Sequence, residues 1–141
     1  GIFPLVSAIR EYGKTKEIAA YIGFRNKNAV CMEYEMRKNA TLTIATDDGS
    51  VGYHGTAVEA FEKDFDSFRP DVVLACGPTP MLRALKEAVK DKGIPVYVSL
   101  EERMGCGIGA CLVCVCERTN GAHARVCKDG PVFEINEVDI R

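Results

Sequence analysis

Over its first hundred residues the chain alternates two hydrophobic patterns. Apolar residues three and four apart mark helices, and short β-branched runs mark strands. "FPLVSAIREYG" (3–13) puts Leu5, Val6, Ile9 and Tyr12 on one helical face, with Pro4 in the first turn and Gly13 as a stop. "EIAAYIGF" (17–24) reads as a strand, "NAVCMEYEMRKN" (28–39) as a short helix with Cys31 inside it, and "TLTIAT" (41–46) as a strand. "DDGSVGYHG" (47–55) is turn chemistry. "TAVEAFEKDF" carries Val58, Phe61 and Phe65 on one stripe. "DVVLACG" (71–77) reads as a buried strand ending in a Gly77–Pro78 turn. A helix over 79–92 presents Met81, Leu82, Leu85, Ala88 and Val89 before Gly93, and "PVYVSL" (95–100) is a strand.

This alternation predicts an α/β fold, a doubly wound parallel sheet with helices on both faces. From residue 101 the pattern breaks into glycine, cysteine and short β-prone pieces: "LVCVCE", "ARVC" and "PVFEI". The expected organisation is an α/β domain over 1–100 and a small C-terminal β/loop module over 101–141. Forty residues are too few for a self-sufficient core, so the module needs a staple, and its cysteines are the candidates.

Composition narrows the function classes. Of 141 residues 47% are hydrophobic, enough for a core, and the net charge of −2 gives no basic footprint for nucleic acid. The apolar runs are too short to cross a bilayer, and no secretory leader pattern is visible. The expectation is a cytoplasmic protein without a membrane or nucleic-acid partner. Seven cysteines are an odd number for a closed disulfide framework.

"RMGCGIGACLVCVCE" (103–117) holds four of those cysteines. Cys106, Cys111 and Cys114 follow C-x4-C-x2-C, and Cys127 follows after twelve intervening residues. That is the plant-type ligand spacing for a [2Fe–2S] cluster. Glycines at 105, 107 and 109 permit a tight loop and let amides reach the sulfurs. Zinc prefers two close cysteine pairs, and only Cys111/Cys114 form one. A thioredoxin-like pair there would need a following helix, where the sequence reads as a strand. Cys31, Cys76 and Cys116 are expected to be packed thiols, with Cys116 an alternative ligand for Cys114. His54 and His123, the two histidines, are expected in exposed turns.

"ACGPTPML" (75–82) is a strand end, a turn and a helix start, where open α/β folds bind cofactors and a helix N-terminus favours negative charge. A plain strand-to-helix turn explains it equally well on these grounds. Asp47–Asp48 reads as a solvated turn or a ribose contact. Arg25 and Lys27 would favour a 2′-phosphate, hence NADP.

Cys76-Gly77-Pro78-x-x-Met81 resembles the nicotinamide-side motif of the ferredoxin–NADP reductase family, and "TDDGSVGYHG" (46–55) resembles that family's acidic turn. With "LEERMGCGIGACLVCVCE" and "VCKDGPVFEINEVD", the chain resembles over its whole length the electron-transfer, iron–sulfur subunits of class 1B dihydroorotate dehydrogenases. The resemblance implies a flavoprotein oxidoreductase of pyrimidine biosynthesis, with electrons passing from NADH to FAD, to a [2Fe–2S] cluster and to FMN in a catalytic dihydroorotate dehydrogenase partner subunit. It points to NAD over NADP, to Cys106, Cys111, Cys114 and Cys127 as metal ligands, and to Gly77, Pro78 and Met81 beside Cys76 on the nicotinamide side. It puts Thr46 and Asp47 near the adenosine and makes Gly1 the last glycine of a phosphate-binding loop. FAD would be held mainly by an N-terminal flavin domain with no counterpart here, and this chain by itself is not expected to be active. In that family the first strand lies mid-sheet, so a chain starting at Gly1 is expected to leave a central gap, which another polypeptide segment fills or neighbouring strands close. The small subunits of NAD(P)-linked sulfide dehydrogenases, hydrogenases and ferredoxin oxidoreductases share the architecture and stay open as alternatives, as does a ferredoxin-like carrier that binds no nucleotide.

Overall fold

The computed structural model describes residues 1–140; Arg141, the last residue of the expected module, lies outside the described residues. The described chain forms two compact units, Ile2–Pro70 and Gly1 with 71–140.

In the first unit, α1 (Ile2–Tyr12) leads into β1 (Ala19–Phe24), α2 (Glu33–Arg37), β2 (Thr41–Thr46), β3 (Tyr53–His54) and α3 (Ala57–Phe68). The strands pair in parallel in the order β1–β2–β3, with Ala19 opposite Thr41 and Phe24 opposite Thr46. The core joins Val6 and Ile9 of α1 to Ala20 and Ile22 of β1, Leu42 and Ile44 of β2, and Met36 of α2. The α1 face is narrower than its sequence pattern suggests, for Tyr12 is exposed.

The expected helix over 28–39 is broken. A 3-10 turn at Lys27–Ala29 is capped by the Asn26 side chain, which accepts from the Asn28 amide. Met32 then takes a left-handed conformation (φ 59°) before α2 starts. Cys31 falls in the break and is exposed, so it is not the packed mid-helix thiol that the pattern suggested. α3 begins with a reciprocal cap: the Glu59 amide donates to the Thr56 hydroxyl, and the Thr56 amide donates to the Glu59 carboxylate. Its Phe61 packs edge-on against Tyr21 and Phe65, with centroids 5.7 and 5.5 Å away.

In the second unit, β4 (Val73–Cys76), α4 (Thr79–Val89) and β5 (Val96–Ser99) form a parallel βαβ pair, with Cys76 opposite Ser99. β6 (Val115–Glu117) and β7 (His123–Arg125) make an antiparallel hairpin, α5 (Val126–Asp129) follows, and β8 (Val132–Glu134) pairs antiparallel with β5. The strands from 1–100 thus lie in two ladders, β1–β2–β3 and β4–β5–β8, not in one continuous sheet.

β4 is only half buried: Ala75 and Cys76 are covered, whereas Val72 and Leu74 are 47% and 45% exposed. The expectation of a fully buried strand fails at Leu74 and at Val72 just before β4, while the end of the strand, Ala75 and Cys76, is covered on both faces. The cysteine-rich segment does not stand alone. Phe133, Ile135 and Val138 are buried, β8 adds to the sheet across residue 101, and Lys86 on α4 donates to the Val138 carbonyl at 2.9 Å. The hydrophobic support that forty residues cannot generate comes from this shared sheet.

Candidate iron–sulfur centre and nucleotide edge

The loop before β6 wraps around its own sulfurs. The Cys106 sulfur accepts from the amides of Ala110 (3.2 Å) and Cys111 (3.4 Å), while the Cys111 sulfur accepts from the Cys106 amide (3.4 Å). Such a turn requires left-handed backbone at Gly107 (φ 70°), Gly109 (φ 83°) and Leu112 (φ 58°). Two of those positions are glycine, which adopts it freely; Leu112 does so at a steric cost. Gly105 serves a different need, since a Cβ there would lie 2.8 Å from the Cys111 sulfur.

The second pair is built across the hairpin. The Cys114 carbonyl accepts from the Val126 amide at 2.9 Å, and the Cys114 sulfur accepts from the Cys127 amide at 3.4 Å. This brings α5 onto the end of the cysteine loop. Cys106 and Cys111 thus form one sulfur pair and Cys114 and Cys127 a second, on segments joined by the Arg125 guanidinium, which donates to the Gly109 carbonyl at 3.2 Å.

Their protonation reflects these surroundings. The Cys106 thiol is lowered to about 6, first by the amide of Cys111, then by those of Ile108 and Ala110 and by the Cys111 thiol. Amide donors favour the thiolate, the form that binds iron. Cys127 is pushed up, chiefly by its contact with the Cys114 thiol. Cys116, on β6, is half-buried and raised by desolvation; it remains outside the two pairs.

Two pairs of thiolates suit a diiron core, in which each iron takes two protein sulfurs and the irons share inorganic sulfide. A strand, β6, follows Cys114, so no helix dipole activates a Cys111/Cys114 redox pair. The donor set and its pairing fit a [2Fe–2S] cluster.

The other expected site lies at the C-terminal ends of β4 and β5. A Cβ on Gly1 would lie 2.7 Å from the Cys76 carbonyl oxygen, and one on Gly77 would lie 2.7 Å from the Met81 sulfur. Gly1, Cys76, Gly77 and Met81 thus form one close-packed edge, with Pro78 exposed at the start of α4. The Cys76 thiol, 6% exposed, reaches the Glu101 carboxylate at 3.9 Å. The shape leaves backbone accessible beside a helix N-terminus, which can receive a flat ring and an anionic group.

Thr46 and Asp47 belong to the first unit, at the C-terminal end of β2. Thr46 is fully buried, and its hydroxyl donates to the Val51 carbonyl (2.7 Å) and accepts from the Val51 amide (3.2 Å). It shapes the turn; the exposed Asp47 is the group that turn presents. Arg25 and Lys27 follow β1, where the Lys27 amide donates to Ser50. His54 and His123 are exposed, each in a short strand and not a turn.

Three participants were not singled out from sequence: Glu101, Arg125 and Asp129. Glu101 follows directly on β5, and Arg125 and Asp129 flank Cys127 four residues apart. That opposite-charge spacing on a helical turn was the available signal.

Comparison with known proteins agrees with this geometry. Residues 101–139 match the family described as the iron–sulfur cluster binding domain of dihydroorotate dehydrogenase B. The chain is 45% identical over 141 residues to the dihydroorotate dehydrogenase B (NAD(+)) electron transfer subunit of Bacillus pumilus, covering 98% of this chain and 53% of that protein. The same subunit of Geobacillus thermodenitrificans matches at 45% with equal coverage, and that of Desulforamulus reducens at 36% over 138 residues. This chain spans about half the length of the curated relatives it matches. Among solved structures, a chain of an NADH-dependent reduced ferredoxin–NADP oxidoreductase, studied for flavin-based electron bifurcation, superposes with a TM-score of 0.79. It is 28% identical, covering 98% of this chain and 49% of that one. Along nearly its whole length, in its cysteine segment and in its ferredoxin reductase-like fold, the chain is similar to the electron transfer subunits of dihydroorotate dehydrogenase B and to the oxidoreductase structure above.

Proposed function

We propose that this chain is the NADH- and cluster-binding part of an electron-transfer subunit, relaying electrons between NADH, FAD and a [2Fe–2S] cluster to an FMN-containing dihydroorotate dehydrogenase partner in pyrimidine biosynthesis. The observation that carries the proposal is the pairing of the four cysteines as 106/111 and 114/127, on segments joined by the hydrogen bond from Arg125 to the Gly109 carbonyl. The similarity to NAD(+)-linked subunits supports the donor and the partner.

When bound, the cluster would supply one-electron transfer, and a flavin would join it to the two-electron hydride donor. In this proposal Cys106, Cys111, Cys114 and Cys127 hold the iron, and residues 101–141 act as the cluster module. Residues 1–100 act as the NAD domain. Gly1, Gly77, Pro78 and Met81 leave room beside Cys76 for the nicotinamide, and Asp47 meets the adenosine side on the turn held by Thr46. FAD is bound mainly by polypeptide other than this chain. No side chain acts as general acid or base; the work is positioning and tuning of potential. Among the described residues no helix is long and apolar enough to cross a membrane. We place the protein in the cytoplasm, where thiols stay reduced, in keeping with seven free cysteines.

The test is an anaerobic preparation of the full-length protein, with iron and sulfide counts and EPR after reduction. Two of each per chain, lost when Cys106, Cys111, Cys114 or Cys127 is changed to Ala and kept in Cys116→Ala, is the expected result. Stoichiometric zinc, or a cluster indifferent to those four changes, would sink the assignment. Mixing with a dihydroorotate dehydrogenase catalytic subunit should yield NADH-dependent turnover of orotate.

A second reading has support of its own in the ferredoxin–NADP oxidoreductase match. In it the same relay serves a ferredoxin-linked partner, and reduction of ferredoxin in place of orotate would favour it. A carrier that binds no nucleotide would leave NADH fluorescence unchanged on titration.

A further inference from the structure

Gly109 is buried in a loop whose other residues, 101–108 and 110–113, are exposed. Two side chains cover it. A Cβ on Gly109 would lie 2.8 Å from the Lys128 Cδ and 3.4 Å from the Arg125 Cδ. The Arg125 Nη1 donates to the Gly109 carbonyl at 3.2 Å. The rest of that guanidinium is held by Asp129, through Nε to Oδ2 at 3.0 Å and Nη2 to Oδ1 at 3.2 Å. Asp129 Oδ2 also accepts from the Arg125 amide at 2.8 Å. The fork is thus aimed from both ends of the Cys127 turn, and its free arm holds the Gly109–Ala110 peptide, whose N–H donates to the Cys106 sulfur at 3.2 Å.

Stability does not account for this arrangement. Both partners are about one-third exposed, and such pairs contribute little to folding. A bidentate fork does confer direction, which a lysine ammonium lacks. Resting on the assignment of the four cysteines to a diiron cluster, we propose that Arg125, gripped by Asp129, is a positioning residue: it holds the Gly109 carbonyl so that the N–H of the same peptide, that of Ala110, stays on the Cys106 sulfur, tying the Cys127 turn to the 106/111 pair. Negative charge on the sulfurs rises on one-electron reduction, so an amide held on Cys106 and the Arg125 cation beside the Cys127 turn both favour the reduced state.

The test is Arg125→Gln in the full-length protein, with the midpoint read by EPR-monitored titration against redox mediators. The expected result is at least a tenfold fall in the ratio of reduced to oxidised cluster at fixed potential, equivalent to a midpoint lowered by about 59 mV. The EPR line shape should move as well. Arg125→Lys keeps the charge but not the fork, and should restore less than half the shift. Full restoration by lysine would overturn the positioning role in favour of charge alone, and an unmoved midpoint in Arg125→Gln would overturn it outright. Exchange of the Ala110 amide in the metal-free protein is the second measurement, and it separates this inference from the cluster assignment. It should be at least about tenfold faster in either variant, from loss of the fork. Unchanged exchange refutes the clamp whether or not iron is bound, and Arg125→Lys serves alone if Arg125→Gln does not fold.

Discussion

Two glycines in the cysteine loop should respond in opposite ways to the same methyl group. Gly107 has φ 70° and nothing within 4 Å of the position its Cβ would take. Alanine there meets left-handed strain of about 1–2 kcal/mol, offset by about 0.4–1 kcal/mol from a less flexible unfolded chain. The net loss, about 1 kcal/mol, lowers Tm by a few degrees, while the sulfurs stay where they are. Gly105 has no left-handed strain, but its Cβ would lie 2.8 Å from the Cys111 sulfur and 3.3 Å from Val113 Cγ2. Ordinary contact begins near 3.4 Å, so the sulfur must retreat by 3.4 − 2.8 = 0.6 Å. Metal–ligand distances tolerate roughly 0.2 Å, so Gly105→Ala should lose at least about half its cluster while the metal-free polypeptide melts no earlier than wild type. Gly107→Ala should keep its iron and melt earlier. Iron and sulfide per chain, EPR after reduction and thermal melts of the metal-free proteins read both effects. Full cluster content with an unaltered spectrum in Gly105→Ala would refute the argument that Cys111 is held in place by the absence of that methyl group.

The remaining expectations concern the supporting fold. Arg69 ends α3 in a left-handed conformation (φ 47°), and Arg69→Gly should stabilise the protein by about 1 kcal/mol, read by urea unfolding, despite losing a bond to the Asp66 carbonyl. Thr56→Ala removes the α3 cap and should cost about 1 kcal/mol, measured the same way. The Glu59 carboxyl in that cap is held below its ordinary 4.5, chiefly by the Thr56 amide. Its stabilising contribution is therefore complete above pH 4.5 and is lost as pH falls through the lower folded value; Glu59→Gln should flatten that part of the pH–stability curve. Met36, with no exposed surface, should cost about 2–5 kcal/mol on change to Ala, visible as a lower denaturation midpoint.

Local pattern was a good guide wherever a short stretch settles its own conformation. The alternation of periods marked the strands and helices through residue 100, and cysteine spacing marked the metal-binding loop. It misled where neighbours decide. Cys31 reads as helical, but the Asn26 cap and the left-handed Met32 break the helix and expose the thiol. Leu74 reads as buried because β4 is apolar, yet it is exposed. The exchange of hydrogen bonds between the Thr46 hydroxyl and the Val51 backbone was likewise not legible in the sequence.

The order of residues alone determined that the chain is α/β, that cysteines at 106, 111, 114 and 127 carry a cluster-type spacing, and that a glycine–proline turn ends a strand at 77–78. Those properties follow from residue type and spacing within a few positions. Only the tertiary structure decided that the donors pair as 106/111 and 114/127, that β8 joins β5 to support the cysteine segment, and that Arg125 and Asp129 hold Gly109. Apart from the local 106/111 and 125/129 contacts, these join residues farther apart along the chain, and such contacts depend on chain reversal and burial, which local spacing does not encode.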